Sequence, residues 1–111
     1  MKTFNEWLNE GREVTNKWYA HISRVKCADG YSVSIQASSG HYCDPRETLR
    51  DVRCYSSFEL GYPSAADDAL MEYVEDVERP TDTVYGYVPR EVVEQVIASH
   101  GGIVGFDIKA A

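Results

Sequence analysis

Residues 17–39 read as a β-hairpin, and that pattern limits the fold more than any other feature of the chain. Tyr31, Val33, Ile35 and Ala37 alternate with Ser32, Ser34, Gln36 and Ser38. This is the period of two of a strand with one face buried and the other in water. The preceding run has two apolar phases, Trp18, Ala20 and Ile22 first, then Val25 and Cys27. A one-residue change of phase predicts a bulge near Ser23 and Arg24. Between the strands, Asp29-Gly30 forms a two-residue primed turn, or Ala28-Asp29-Gly30 a three-residue loop with Gly30 in the left-handed region. The two differ by one residue in register. The three-residue loop is favoured because it sets Val25 opposite Val33.

The rest of the chain supplies elements to cover this sheet. Thr3 and Glu6 have the spacing of a capping box, and Phe4, Trp7 and Leu8 follow at helical intervals. A short amphipathic helix is therefore expected over 3–10, stopped by Gly11. Periodicity fails over 39–53, where Gly40, Cys43-Asp44-Pro45 and many charges predict a long loop with a helical turn over 45–52. Residues 54–60 alternate again, with Cys54, Ser56, Phe58 and Leu60 on one face, and predict a third strand. Past Gly61-Tyr62-Pro63, Ser64 and Asp67 predict a helix that carries the stripe Ala66, Leu70, Val74 and Val77, widened by Met71 and ended by Pro80. A fourth strand is expected over 83–88. Pro89 then opens a last helix, with Val92, Val93, Val96 and Ile97 as its stripe and Gly101-Gly102 as its stop. Residues 103–108 read as a fifth strand, and this β-α-β spacing allows a right-handed parallel crossover. The expected fold class is α+β: a mainly antiparallel sheet of four to five strands, with two longer helices and a short N-terminal helix packed on it. At 111 residues the chain is read as a single domain, 1–111. Tyr31, Val33, Ile35 and Phe58 should be buried with Leu70, Val74, Val93 and Ile97.

Several function classes are disfavoured. No apolar run approaches the ~20 residues of a membrane span, and the opening MKTFNEWLNEGRE has acids and no apolar core, unlike a signal peptide. Three cysteines without C-x-x-C spacing fit three free thiols in a reducing compartment, so the chain is placed in a cytosol. Only His41 and Cys43 are closely spaced, against the paired spacings of structural zinc sites, and no metal or cofactor is expected. No family signature surrounds a cysteine, and no G-x-x-x-x-G-K phosphate loop occurs. His100 reads as a helix C-cap that complements the helix dipole, and His21 as a sheet-face residue. The net charge of −7 is uneven: residues 1–58 hold 8 basic and 7 acidic side chains, residues 59–111 hold 3 and 11. A protein that grips a phosphate backbone needs the opposite sign, so direct nucleic-acid binding is not expected.

Two features remain. Asp67, Asp68, Glu72, Glu75, Asp76, Glu78 and Asp82 form an acidic run broken only by Arg79, with like charges at i, i+4 that solubility alone would not select. Tyrosine is abundant, 8 residues in 111, a type enriched at binding surfaces.

The stretch TVYGYVPREVVEQVIASHGGI, preceded by YCDPR and GYPS, resembles the small proteins carried by phages and prophages, over roughly residues 18–103. That group includes small acidic inhibitors of bacterial defence, the anti-CRISPR proteins among them. The resemblance implies a phage accessory protein acting in the cytoplasm of a bacterial host cell, and it brings no catalytic motif. The leading expectation is a non-catalytic binding protein whose seven acids replace phosphates in the basic groove of a nucleic-acid-handling complex, complementary charge speeding the encounter. The alternative is a small-molecule binder or sequestering protein, open to homo-oligomerisation. It would hold a nucleotide-like anion with tyrosines and the loop residues His41, Tyr42, Arg46, Arg50 and Arg53. A third reading, an enzyme built on Cys43 or His41, ranks below both.

Overall fold

The expected hairpin turn forms, in the favoured register. In the computed structural model, which describes residues 1–107, Ala28-Asp29-Gly30 reverses the chain with Gly30 at φ +96°, and Val25 stands opposite Val33. Glycine takes this backbone geometry without a Cβ penalty. The described residues form strands β1 (Arg12–Asn16), β2 (Tyr19–Ile22), β3 (Val25–Cys27), β4 (Ser32–Gln36), β5 (Ser57–Gly61), β6 (Val84–Pro89) and β7 (Ile103–Phe106), with helices α1 (Phe4–Glu10) and α2 (Arg90–Ser99). They build two sheets, β1-β2 and β6-β5-β4-β3-β7, with every pairing antiparallel. The architecture is roughly α+β. Its seven strands and single longer helix correct the expected four to five strands and two longer helices.

The first correction lies at 18–27. A continuous strand with a bulge was expected; the chain instead breaks at Ser23-Arg24 into β2 and β3, and β2 pairs with β1, a strand the sequence pattern did not announce. Where β2 leaves β4, the side-chain amide of Gln36 replaces the missing ladder. Its Oε1 accepts the Ile22 N–H at 2.8 Å and its Nε2 donates to the Ile22 carbonyl at 2.7 Å. The supposed wet face of β4 is therefore covered: Ser32, Gln36 and Ser38 are all buried. Trp18, assigned to the buried phase, is 64% exposed.

The second correction is the segment 64–79, which is not an α-helix. Asp67 caps a 3-10 helix, Asp68–Tyr73, whose Leu70 is buried. The chain then extends: Val74 bridges Tyr85 and the Glu75 N–H donates to the Val84 carbonyl at 3.0 Å. The Asp76 carboxylate takes up the Glu78 N–H at 3.1 Å. Of the expected stripe only Leu70 is fully buried; Val74 is partly so, and Ala66 and Val77 are exposed. Three physical costs work against the helix. Acids sit at i, i+4, acids crowd what would be its C-terminal end, and short Asp side chains bind nearby backbone N–H groups instead.

Two smaller differences concern the strands. Residues 52–54 form a 3-10 turn and β5 starts at Ser57, leaving Cys54 exposed and Tyr55 buried, the reverse of the expected alternation. The helical turn over 45–52 does not form; only its last residue, Val52, joins that 3-10 turn. β6 and β7 run in the same direction, but they are opposite edges of the sheet with three strands between them, so they do not pair. β7 covers the first four residues of the expected 103–108 strand, whose last residue lies outside the described ones.

The buried set includes Tyr31, Val33, Ile35, Phe58, Leu70, Val93 and Ile97 in one cluster, with Leu8 brought in by α1. That helix has its capping box: Thr3 Oγ1 accepts the Glu6 N–H and Glu6 Oε1 accepts the Thr3 N–H. No helix of the described residues is long and apolar enough to cross a membrane.

The irregular 37–56 stretch is tied down by two arginines from outside it. Arg12 donates to the carbonyls of Ala37 at 2.8 Å and Leu49 at 2.9 Å. Arg90 donates to Tyr55 O at 2.9 Å, Val52 O at 2.5 Å and Asn5 Oδ1 at 2.6 Å, with its guanidinium 5.1 Å from the Phe58 ring centre. Bonds to a charged donor are worth more than neutral ones, and buried carbonyls left without a donor are costly. Arg90→Met keeps the apolar stem and removes the donors; we expect it to lower the unfolding free energy by about 2–4 kcal/mol in urea titrations, with little change in slope.

Candidate functional site

The structure separates the loop residues that the sequence grouped. His41 is 7% exposed, with Nδ1 2.7 Å from Ser38 Oγ and its ring 5.1 Å from that of Tyr19. Burial, with His21, Arg12 and Arg46 adding to it, pushes its imidazole down to about 4. It is a neutral, internal group at neutral pH. Arg53 turns to the Asp51 carboxylate, Nη2 to Oδ2 2.7 Å, beside α1. Arg50 lies with Val14, Thr48 and Leu49 at another depression. Only Tyr42 and Arg46 meet, the guanidinium 5.0 Å from the ring centre, with Arg46 Nε held by the Ser39 carbonyl at 3.2 Å.

Around that pair the fold assembles an aromatic face. Tyr42 is exposed and its ring centre is 5.9 Å from that of exposed Tyr87. Tyr19, also exposed, lies against Gly40, where an added Cβ would be 3.1 Å from the Tyr19 ring and 3.4 Å from the Trp18 carbonyl oxygen. Lys17 covers the Trp18 ring at 4.8 Å. Tyr87 has φ +52°, a left-handed geometry that is strained for a bulky residue. The strain sits at the register irregularity between β5 and β6, and the Tyr87 N–H donates to the Tyr42 carbonyl at 3.0 Å. The tyrosine content hinted at such a surface, but nothing local in the sequence marks Tyr87 as left-handed or Trp18 as exposed.

Burial pushes the Cys43 thiol up, and burial with Asp29 nearby pushes Cys27 up to about 11, so both stay protonated at neutral pH. All three cysteines are free, and Cys54 is the exposed one. Among the described residues no three His, Cys, Asp or Glu side chains are grouped to hold a metal ion.

The acidic run stays together and faces outward. Asp68, Glu72, Glu75, Asp76, Glu78 and Asp82 are exposed. Asp67 is half-buried: one oxygen accepts the Ala69 N–H at 3.0 Å, the other lies 3.4 Å from His100 Nε2. His100 is the C-cap residue of α2, and its side chain does more than complement a dipole. Its ring stacks on Tyr31 at 3.8 Å, and Nδ1 is 2.7 Å from Asp29 Oδ2. The Tyr31 N–H and His100 together hold the Asp29 carboxyl below its ordinary value. The start of the acidic run is thus fastened to the hairpin turn and to α2.

An unfolded histidine takes up its proton near 6.5, whereas folded His41 resists protonation until about 4. Its contribution is complete above 6.5 and fades as the pH falls toward 4, a loss of up to about 3 kcal/mol. Denaturant unfolding across that range should show the decline in the wild type and a flatter profile for His41→Gln; equal slopes would place the titrating group elsewhere.

The chain matches no protein-family model, no curated protein and no solved structure.

Proposed function

We propose that this chain is a non-catalytic binding protein that blocks a nucleic-acid-handling defence complex in the cytoplasm of a bacterial host, in the manner of the anti-CRISPR inhibitors. The observation that carries the reading is how the acidic run is presented. Its backbone is anchored by buried Leu70, the Val74 bridge to Tyr85 and the Asp67–His100 contact. Its other six carboxylates are left in solvent. A backbone fixed at one end with exposed carboxylates suits a phosphate mimic, since the backbone need not be ordered on binding and complementary charge speeds the encounter. The protonated, buried Cys43 and the neutral, internal His41 favour binding over catalysis.

A second reading is favoured by one contact, the Arg46 guanidinium over Tyr42 with Tyr87 beside it. A nucleotide-like anion could stack and pair there, although Arg50 and Arg53 lie away from it.

Changing Asp68, Glu72, Glu75 and Asp76 together to lysine separates the two. All four side chains are exposed and only Asp76 binds backbone, at the Glu78 N–H, so circular dichroism should show the sheet and α2 retained. On the first reading, affinity for a partner captured from bacterial lysate is lost, and wild-type affinity falls as salt rises, because exposed charges are screened within about 8 Å at physiological ionic strength. Undiminished binding by the quadruple variant would shift the site to Tyr42 and Arg46.

A further inference from the structure

The acidic run and the aromatic face meet the same strand edge. One side of β6 pairs with β5, and two other segments bond to its outer side. At the Val84 end these contacts are Val74, bridged to Tyr85, and Glu75, whose N–H donates to the Val84 carbonyl at 3.0 Å. At the far end the Tyr87 N–H donates to the Tyr42 carbonyl at 3.0 Å, and a Cβ added at Gly86 would lie 3.3 Å from Tyr42 Cβ. Val84 and Tyr87 are three residues apart, roughly 10 Å along a strand. The Val84 end is acidic, with Glu75 and Asp76 exposed. The Tyr87 end is aromatic and cationic, with Tyr42 and Tyr87 exposed and the Arg46 guanidinium 5.0 Å from the Tyr42 ring centre. Ser39 brings Lys17 to this end: its Oγ donates to the Lys17 carbonyl at 3.4 Å, and its own carbonyl holds Arg46 Nε. Glu59 is also there, but its Oε1 is occupied by the Tyr42 N–H at 2.9 Å.

We infer that this edge of β6 is a contact between two copies of the chain related by a two-fold axis, the Glu75 and Asp76 carboxylates of each copy pairing with Arg46 of the other beside the facing tyrosines. A two-fold operator sets each residue of a patch against its complement on the other copy, so a strip with opposite charges at its two ends is complementary to itself. A surface of one sign would match one end and meet the other as a like charge; a second copy matches both. Tyrosine and arginine, the side chains exposed here, are those enriched in protein interfaces. Each chain carries a net −7, which opposes association at a distance. Salt screens that repulsion beyond about 8 Å, while the pairs act at contact. The inference concerns this chain alone and does not rest on the proposed inhibition.

Sedimentation equilibrium of the full chain tests it, at physiological salt and with a reductant so that exposed Cys54 cannot link two chains. Over a concentration series reaching about 1 mM, the average mass should rise from that of one chain toward that of two. Arg46→Glu and Glu75→Lys each place like charges at both contacts of the pair, and each should raise the dimer dissociation constant at least about tenfold. Mixed in equal amounts, the two variants restore an opposite pair at both contacts, so the mixture should associate as the wild type does. Arg46 and Glu75 are exposed, and thermal unfolding will verify that each variant folds. A wild type that stays monomeric throughout, association that either variant leaves unchanged, or a mixture that fails to recover it would each overturn the inference.

Discussion

Two long stretches of this chain, 37–56 and 62–83, run without a regular element for most of their length, and their inward-facing backbone groups still need hydrogen bonds. A buried carbonyl or amide without a partner costs as much as a lost hydrogen bond, so other parts of the fold must reach in. Arg12 and Arg90 do so for the first stretch, and Asn9 adds to them, accepting the Val52 N–H at 3.0 Å. Tyr55 acts from within, its hydroxyl accepting the Leu49 N–H at 2.8 Å and donating to the Glu47 carbonyl. The second stretch is finished by Arg24, whose guanidinium binds the Tyr62 carbonyl, and by Ser64 Oγ, which accepts the Ser32 N–H at 3.0 Å. The sheet supplies the core, but these side chains decide where the irregular halves lie on it.

That constraint bears directly on the functional reading. Had 64–79 formed a helix, its acids would have been distributed along a solvated cylinder. Held instead as a 3-10 turn, a bridge residue and an Asx turn, they project from a backbone docked against β6. The aromatic face is fixed by a related device, a left-handed Tyr87 whose N–H is tied to Tyr42. In both places the backbone is fixed by contacts within the chain. The interior polar groups have structural tasks: His41 bonds to Ser38, and Gln36 joins β2 to β4.

The features legible in the sequence were those encoded within a few neighbouring residues. The Thr3–Glu6 box, the Gly30 loop with its Val25–Val33 register and the stripe of α2 all need only local spacing, and each is present. The illegible features are long-range. Nothing near Arg90 says that its guanidinium will serve carbonyls 35 and 38 residues away. The apolar spacing at 66, 70, 74 and 77 suits a helix; what defeats it is the pairing of Val74 with Tyr85 together with like charges and competing Asp side chains. Trp18 alternates correctly with Ala20 and Ile22, yet β2 leaves the sheet before its ring can be covered. Of the candidate sites, the acidic run was found as a surface but with the wrong backbone, and the arginine loop was a grouping in sequence only.

The central claim is that the acids are carried on a docked, non-helical backbone. Backbone chemical shifts and amide exchange across 64–79, recorded by NMR in solution, test it most directly. The account predicts non-helical shifts from Val74 onward and a slowly exchanging Glu75 amide, the one bonded to Val84. Helical shifts continuous through 64–79, or a Glu75 amide that exchanges at the rate of a free chain, would contradict it.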